Sequence, residues 1–278
     1  MSEALVLKFS DDLSAFSVSA VGGKAFTLAT LYEKKFSVPA GFVITTHAFD
    51  QYLQSLGQSD RANLAHVSGI QQRILFGDLS SHITEVVEHS LDMFNTSCVA
   101  VRSSATMEDG LGHSYAGQFE SFLNVPKKNI FQQVKMCWGS LFNPRALAYS
   151  KNGINGGKMA VLVQEMIEAD FSGVIFSVNP VDSDGNTVII ELIPGLGESL
   201  VQGVVNPDRY IVCKKSLVIQ EKHIISNSSL LDGIIQKIVR IVMKIENFYQ
   251  VPIDMEFAVK NEEVYVLQAR PITAFSHN

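Results

Sequence analysis

Residues 253–272, IDMEFAVKNEEVYVLQARPI, constrain this chain more than any other stretch. Two runs of strand-forming residues flank a polar turn, so the segment reads as a β-hairpin. Side chains alternate faces along a strand, which puts Asp254 and Glu256 on one face of the first strand and Gln268 and Arg270 on one face of the second. Register decides whether the two faces coincide. A turn with an odd number of residues, such as 261–263, sets Glu256 opposite Gln268 and Asp254 opposite Arg270, whereas an even turn separates them. An odd turn is expected if the pairing has a chemical purpose. A hard Mg2+ ion takes oxygen ligands and commonly binds one or two carboxylates plus substrate phosphates, which a Glu and a Gln carbonyl facing each other begin to supply. Arg270, two residues on, offers a phosphate oxygen its fork of donors. The plainer alternative is a surface hairpin with a weak cross-strand ion pair between Asp254 and Arg270.

At 278 residues the chain is long enough for a sizeable core. At about 150 residues per domain it holds two domains or one large α/β unit. A formal charge of -6 with no offsetting basic block argues against nucleic acid or an anionic membrane as the main partner. Cys98, Cys137 and Cys213 are odd in number and widely spaced, which suits free thiols in a reducing compartment better than a disulfide frame or a zinc site. The start, MSEALVLKFS, lacks a basic segment followed by a long apolar run, and nowhere do about 18 apolar residues follow one another. These features predict a soluble, cytoplasmic protein.

Along the chain, a strand at 5–9 leads through a polar stretch to Val21-Gly22-Gly23-Lys24. Phe26, Leu28, Ala29, Leu31 and Tyr32 then recur at helical spacing, so Lys24 sits at a helix N-terminus. A strand follows at 42–45, and 48–94 is mostly helical. The strand at 98–103 runs into a polar loop, 104–118, before a second strand at 120–124 and a helix from Ile130 to about Ser150. Strands at 160–166, 173–177, 188–192 and 210–212 and a helix over 230–249 precede the hairpin. Mixed strands and helices with antiparallel hairpins indicate α/β or α+β architecture.

Several short motifs carry chemistry. The GGK turn is not a P-loop, since Val18 and Ala25 stand where GxxxxGK[ST] needs Gly and Ser or Thr. What remains is a lysine on a permissive turn at a helix start, where N–H groups and the helix dipole favour a phosphate; a solvated Lys beside a tight turn is the alternative. GLGESLVQG at 195–203 is no dinucleotide fingerprint, because Leu200 replaces the third glycine; it shapes a loop running to Asn206-Pro207-Asp208. VAVRSSATMEDG places Arg102 at a strand end, suited to a transferring phosphoryl group or to an ion pair with Glu108 or Asp109. Gly117 lets backbone approach a ligand, Ser121 adds a hydroxyl, and Gln164 interrupts the apolar strand MAVLVQEMI, where a buried amide needs partners. The seven histidines show no HxxxH spacing, and only His113, in the polar loop, is a candidate acid, base or phosphate carrier.

Taken together, VGGKAFTLATL, VPAGFVITTHAF, VAVRSSATMED, YAGQFESFLNV, MAVLVQEMI, SGVIFSVNP, GLGESLVQGVVNPD, DMEFAV and VYVLQARPIT resemble the N-terminal nucleotide-binding domain of phosphoenolpyruvate synthase, pyruvate phosphate dikinase and rifampin phosphotransferase. The blocks keep the family's order across nearly the whole chain. The resemblance implies an α+β ATP-grasp fold in which two subdomains clasp ATP, with mixed sheets and the C-terminal β-hairpin. It divides the chain into a lysine-bearing part of the first subdomain (1–95), an arginine loop and helical part (96–160), and a second subdomain with the metal-binding hairpin (161–278). By motif, the implied nucleotide contacts are Lys24, Arg102, Gly117, Ser121 and Gln164, with Glu256 and Gln268 as Mg2+ ligands and Arg270 on a phosphate. Ser121 stands where a threonine is common.

Family enzymes continue past LQARPIT into a swivelling domain with a phosphorylated histidine. These residues include no TSHAA-type motif, and His277 lies in the wrong context to replace it. The expectation is an Mg-ATP-dependent phosphotransferase in which Lys24, Arg102 and Arg270 neutralise the transferring group. Its acceptor would be a histidine on a separate carrier protein or a small molecule. A non-catalytic ATP-binding regulatory module and an ATP-grasp ligase are the rivals; the joint presence of Lys24, Arg102, Glu256, Gln268 and Arg270 favours the phosphotransferase.

Overall fold

The computed structural model describes residues 4–57, 69–107, 120–143, 157–179, 185–226 and 230–272. The chain forms two compact units, residues 1–34 with 40–166, and residues 35–39 with 167–278. Both are antiparallel sheets with helices, an α+β architecture.

The first unit is built on five strands in the order β1-β2-β5-β3-β4, comprising β1 (Val6–Lys8), β2 (Gly41–Ile44), β3 (Cys98–Ala105), β4 (Ser121–Pro126) and β5 (Met159–Glu165). β5 is central, and its residues 159–163 are all fully buried, as a near-continuous apolar run requires. One face, carrying Val99, Val101, Ala105, Met159, Val161 and Val163, forms the core with α2 (Thr46–Ser55), α3 (Ile70–Phe76), α4 (Ser81–Leu91) and α5 (Ile130–Ser140). Trp138 of α5 stacks on Phe49 and Tyr52 of α2, with ring centroids 5.3 and 5.2 Å away. The Tyr52 hydroxyl donates to the Ile74 carbonyl at 2.7 Å, so this buried phenol is satisfied while it ties α2 to α3.

Helix α1 (Val18–Glu33) packs against β3 and β5. It starts earlier than the apolar spacing suggests because Ser17 caps it, accepting from the Ala20 N–H at 3.2 Å. Its helical path breaks at Gly22, whose φ of 75° and ψ of 166° are open mainly to glycine. Lys24 therefore does begin a helical segment, but one that follows a kink. β3 also outruns its expected end. Ser104 and Ala105 pair with Ala160 and Met159 instead of opening a loop.

The second unit is a six-stranded sheet in the order β11-β10-β6-β7-β8-β9. Its strands are β6 (Phe171–Phe176), β7 (Thr187–Pro194), β8 (Asp208–Cys213), β9 (Ile219–His223), β10 (Ile253–Lys260) and β11 (Glu263–Pro271). Sequence reading missed β9, an edge strand with four of its five residues exposed and hence no apolar alternation to betray it. After the short helix α6 (Glu198–Val201), α7 (Asp232–Tyr249) buries Ile234, Ile235, Ile238, Val239, Val242 and Ile245 at helical spacing and packs on β10 and β11. Met255 and Phe257 of β10 are fully buried and Val259 is 2% exposed, which makes theirs the core face. Gly173 sits where β6 and β7 approach closely, and a Cβ there would lie 2.4 Å from the Glu191 carbonyl oxygen.

The hairpin register corrects one expectation and keeps its consequence. The turn is even, not odd: Lys260 pairs with Glu263, leaving Asn261 (φ 49°) and Glu262 (φ 62°) as two left-handed turn residues. Between the Phe257–Val266 and Glu256–Gln268 pairs the register shifts by one, so Leu267 is the extra residue of a β-bulge. Beyond the bulge Glu256 faces Gln268 and Asp254 faces Arg270. Asp170 pins the turn, its carboxylate accepting from the Asn261 N–H at 2.8 Å and from Lys260 Nζ at 3.1 Å. These donors hold its carboxyl below the usual aspartate value, the backbone N–H chiefly.

Candidate functional site

In the first unit the candidate residues gather on the α1 side of the sheet. Arg102 pairs with Leu162 on β5 and Ser121 on β4, and Gln164 pairs with Ala100, so Arg102, Ser121 and Gln164 share one face, with Gln164 diagonal to Arg102. Arg102 is 8% and Gln164 2% exposed, while Ser121 is open to solvent. Lys24 comes from α1, and its Nζ donates to the Ser103 carbonyl at 3.1 Å, next in sequence to Arg102. Two cations are thus held together by a buried strand and the helix lying on it. Beneath them Cys137 is fully buried, which pushes its thiol up to about 12 despite the nearby Lys24.

In the second unit the site face of the hairpin carries Glu256 and Gln268, opposite each other and both half-buried. Asp254 and Arg270 lie in the next row. Arg270 Nε and Nη2 both meet Asp254 Oδ2, at 2.8 and 2.7 Å, so the ion pair foreseen as the plainer alternative is present. Burial raises the Asp254 carboxyl above its ordinary value, against the pull of Arg270 and with a smaller push from Glu256. The pair fixes the guanidinium beside the Glu256–Gln268 row and leaves the Arg270 side chain 37% exposed.

Register adds a residue that sequence reading passed over. Glu256 pairs with Val174 on β6, and Val174 pairs with Glu191 on β7, so Glu191 stands in the same row and on the same face as Glu256 and Gln268. Its signal was available, as a lone acid interrupting the apolar run TVIIELIP. Asp208 proves structural instead. It is 1% exposed and accepts from the Ile225 and Ser226 N–H groups at 2.7 and 2.8 Å, anchoring the segment after β9. Gly117, Glu108, Asp109, His113 and His277 lie outside the described residues.

Donor chemistry decides which metal suits the hairpin. A carboxylate and an amide oxygen are hard ligands, appropriate to Mg2+ and poor for a soft transition metal. Among the described residues no three His, Cys, Asp or Glu side chains group so as to hold an ion by themselves. Glu256 and Gln268, paired across the hairpin, are the residues that could supply two such oxygens.

The family model described as pyruvate phosphate dikinase, AMP/ATP-binding domain matches residues 18–229 and 225–278. A probable phosphoenolpyruvate synthase from Methanocaldococcus jannaschii is 32% identical over 95% of this chain and 26% of its own length. Rifampicin phosphotransferase from Bacillus cereus is 32% identical over 97% of this chain and 36% of its own. The chain thus spans between a quarter and about a third of these relatives. Among solved structures, D-alanine--D-alanine ligase from Bacillus anthracis complexed with ATP overlaps 80% of this chain and 62% of its own at 11% identity; the TM-score of 0.33 is too low to bear on fold or function. No helix among the described residues is long and apolar enough to cross a membrane.

Proposed function

The chain belongs to the pyruvate phosphate dikinase AMP/ATP-binding domain family, and from that premise we propose that it binds Mg-ATP in an ATP-grasp manner and donates a phosphoryl group. The acceptor is a histidine on a separate carrier domain or protein, or a small molecule. Lys24 and Arg102 neutralise charge on the transferring phosphoryl group and its neighbour, Arg270 grips a phosphate oxygen, and Gln164, Ser121 and Gly117 contact the nucleotide. Glu256 and Gln268 hold the Mg2+. When bound there, the ion would supply positive charge to offset that of the phosphate oxygens. Phosphoryl transfer depends mostly on positioning and electrostatics, so rigid sheet-borne side chains are the groups it requires. The observation that carries the reading is the grouping of Arg102, Ser121 and Gln164 on one sheet face, with Lys24 of α1 bonded to the strand of Arg102, and of Glu256 and Gln268 on one hairpin face, in a chain of this family. The three free cysteines support a reducing, cytoplasmic setting.

Incubation with ATP labelled at the β and γ positions tests the chemistry. AMP with phosphate indicates dikinase-type transfer, and ADP indicates a simple kinase. Absence of turnover with a phosphohistidine carrier and with every small acceptor tried removes the transferase assignment and leaves a binding module.

A further inference from the structure

The kink in α1 has an identifiable cause on the neighbouring strand. In an unbroken helix the Ala25 N–H would donate to the Val21 carbonyl, four residues back. Here the Ser104 hydroxyl stands between them, accepting from the Ala25 N–H at 3.0 Å and donating to the Val21 carbonyl at 2.7 Å. A side chain inserted into the helical ladder bends a helix at that point, and the bend falls at Gly22. The contact is tight. A Cβ on Gly22 would lie 2.2 Å from the Ser104 carbonyl oxygen and 2.5 Å from its hydroxyl, and Ser104 is fully buried. Next to this bridge, Lys24 Nζ donates to the Ser103 carbonyl. Ser104 also shares its strand face with Arg102, two residues earlier.

We propose that Ser104 is a positioning residue for Lys24: its hydroxyl replaces one helical hydrogen bond, sets the bend at Gly22 and thereby locks the lysine to the strand that carries Arg102. The proposal rests on the reading of Lys24 as a phosphate contact, and it names a residue that touches no ligand itself. Without the hydroxyl, the Ala25 N–H and Val21 carbonyl either close on each other and straighten the turn or stay buried and unpaired. Both outcomes loosen Lys24.

Two readouts on the full chain test it. The first needs no nucleotide: the acetylation rate of Lys24, followed by mass spectrometry, should rise several-fold in Ser104→Ala and stay near wild type in Ser104→Thr, which keeps the hydroxyl. The single tryptophan, Trp138, reports by fluorescence whether the first unit remains folded. If Ser104→Ala does not fold, Ser104→Cys, of similar size with a weaker donor and acceptor, takes its place. An unchanged Lys24 rate in the folded variant overturns the proposal. The second is a double-mutant cycle on Mg-ATP affinity. Ser104→Ala should weaken binding roughly tenfold, about what losing one or two net hydrogen bonds implies, and should add nothing in a Lys24→Ala background. Equal weakening in both backgrounds means that Ser104 acts independently of the lysine and also overturns the proposal. If Lys24→Ala itself binds Mg-ATP like wild type, the phosphate role of Lys24 fails, while the acetylation rate still decides the role of Ser104.

Discussion

At Gly22, Asp254, Cys137 and Cys213, single residues make separable predictions. Gly22→Ala faces two penalties at once, a left-handed φ and a Cβ inside van der Waals contact of Ser104. It should cost roughly 2–4 kcal/mol of stability in the first unit by denaturant unfolding followed at Trp138; a loss under about 0.5 kcal/mol would mean the turn relaxes easily. Asp254 has a carboxyl pKa raised in the fold above its ordinary 3.8, so what it contributes to stability is complete below that value and lost as pH rises through the higher folded value. Asp254→Asn should flatten the stability curve over that window, as melting points taken in pH steps would show. A curve of unchanged slope would assign the pH dependence to other groups. The thiols differ through their surroundings. Hydrogen bonds from Ser216, side chain first and then backbone, lower the Cys213 thiol, whereas burial lifts Cys137 to about 12. Iodoacetamide near neutral pH should therefore label Cys213 well before Cys137, which should react only on unfolding. Prompt labelling of Cys137 would contradict its burial.

At the scale of elements, the hairpin shows what sequence periodicity can and cannot give. The apolar core positions of β11 are Val264, Val266 and Ala269, a step of two followed by a step of three. That break in phase is the bulge at Leu267, visible in the sequence once the alternation is followed past Val266. Turn parity leaves both registers open; the odd turn that the chemistry asks for gives the right partners for Glu256 and Asp254, though the chain reaches them by an even turn and a bulge. β5, α7 and the hairpin strands were legible because their apolar residues recur with clear periods or run unbroken. β9 and the early start of α1 were not, since an exposed edge strand has no period and a Ser cap is a local signal. The kink at Gly22 depends on Ser104, 82 positions away, and no local pattern encodes it. Deleting Leu267 should remove the bulge yet keep Glu256 opposite Gln268, because one extra residue is all that separates the two registers. The variant should thus keep Mg-ATP affinity to within about tenfold, or 1.4 kcal/mol. Complete loss of affinity would show that the local twist of the bulge, and not the register alone, orients the pair.

At the scale of the whole molecule, the proposed function draws a different kind of group from each unit. The first offers cations on a buried strand and the helix beside it. The second offers hard oxygens on a hairpin face, with an arginine held beside them. Most of these residues were named from short motifs in family order; Glu191 and Ser104 emerged only from register and from a hydroxyl lodged in a helix. Calorimetric titration with ATP, with and without Mg2+, of the wild-type chain and of Glu256→Ala probes this division most directly. Wild type should bind Mg-ATP at least tenfold tighter than metal-free ATP, or about 1.4 kcal/mol, and Glu256→Ala should lose that metal dependence while retaining weak binding through Lys24 and Arg102. Identical isotherms for the two proteins with and without Mg2+ would contradict the assignment of the hairpin as the metal site.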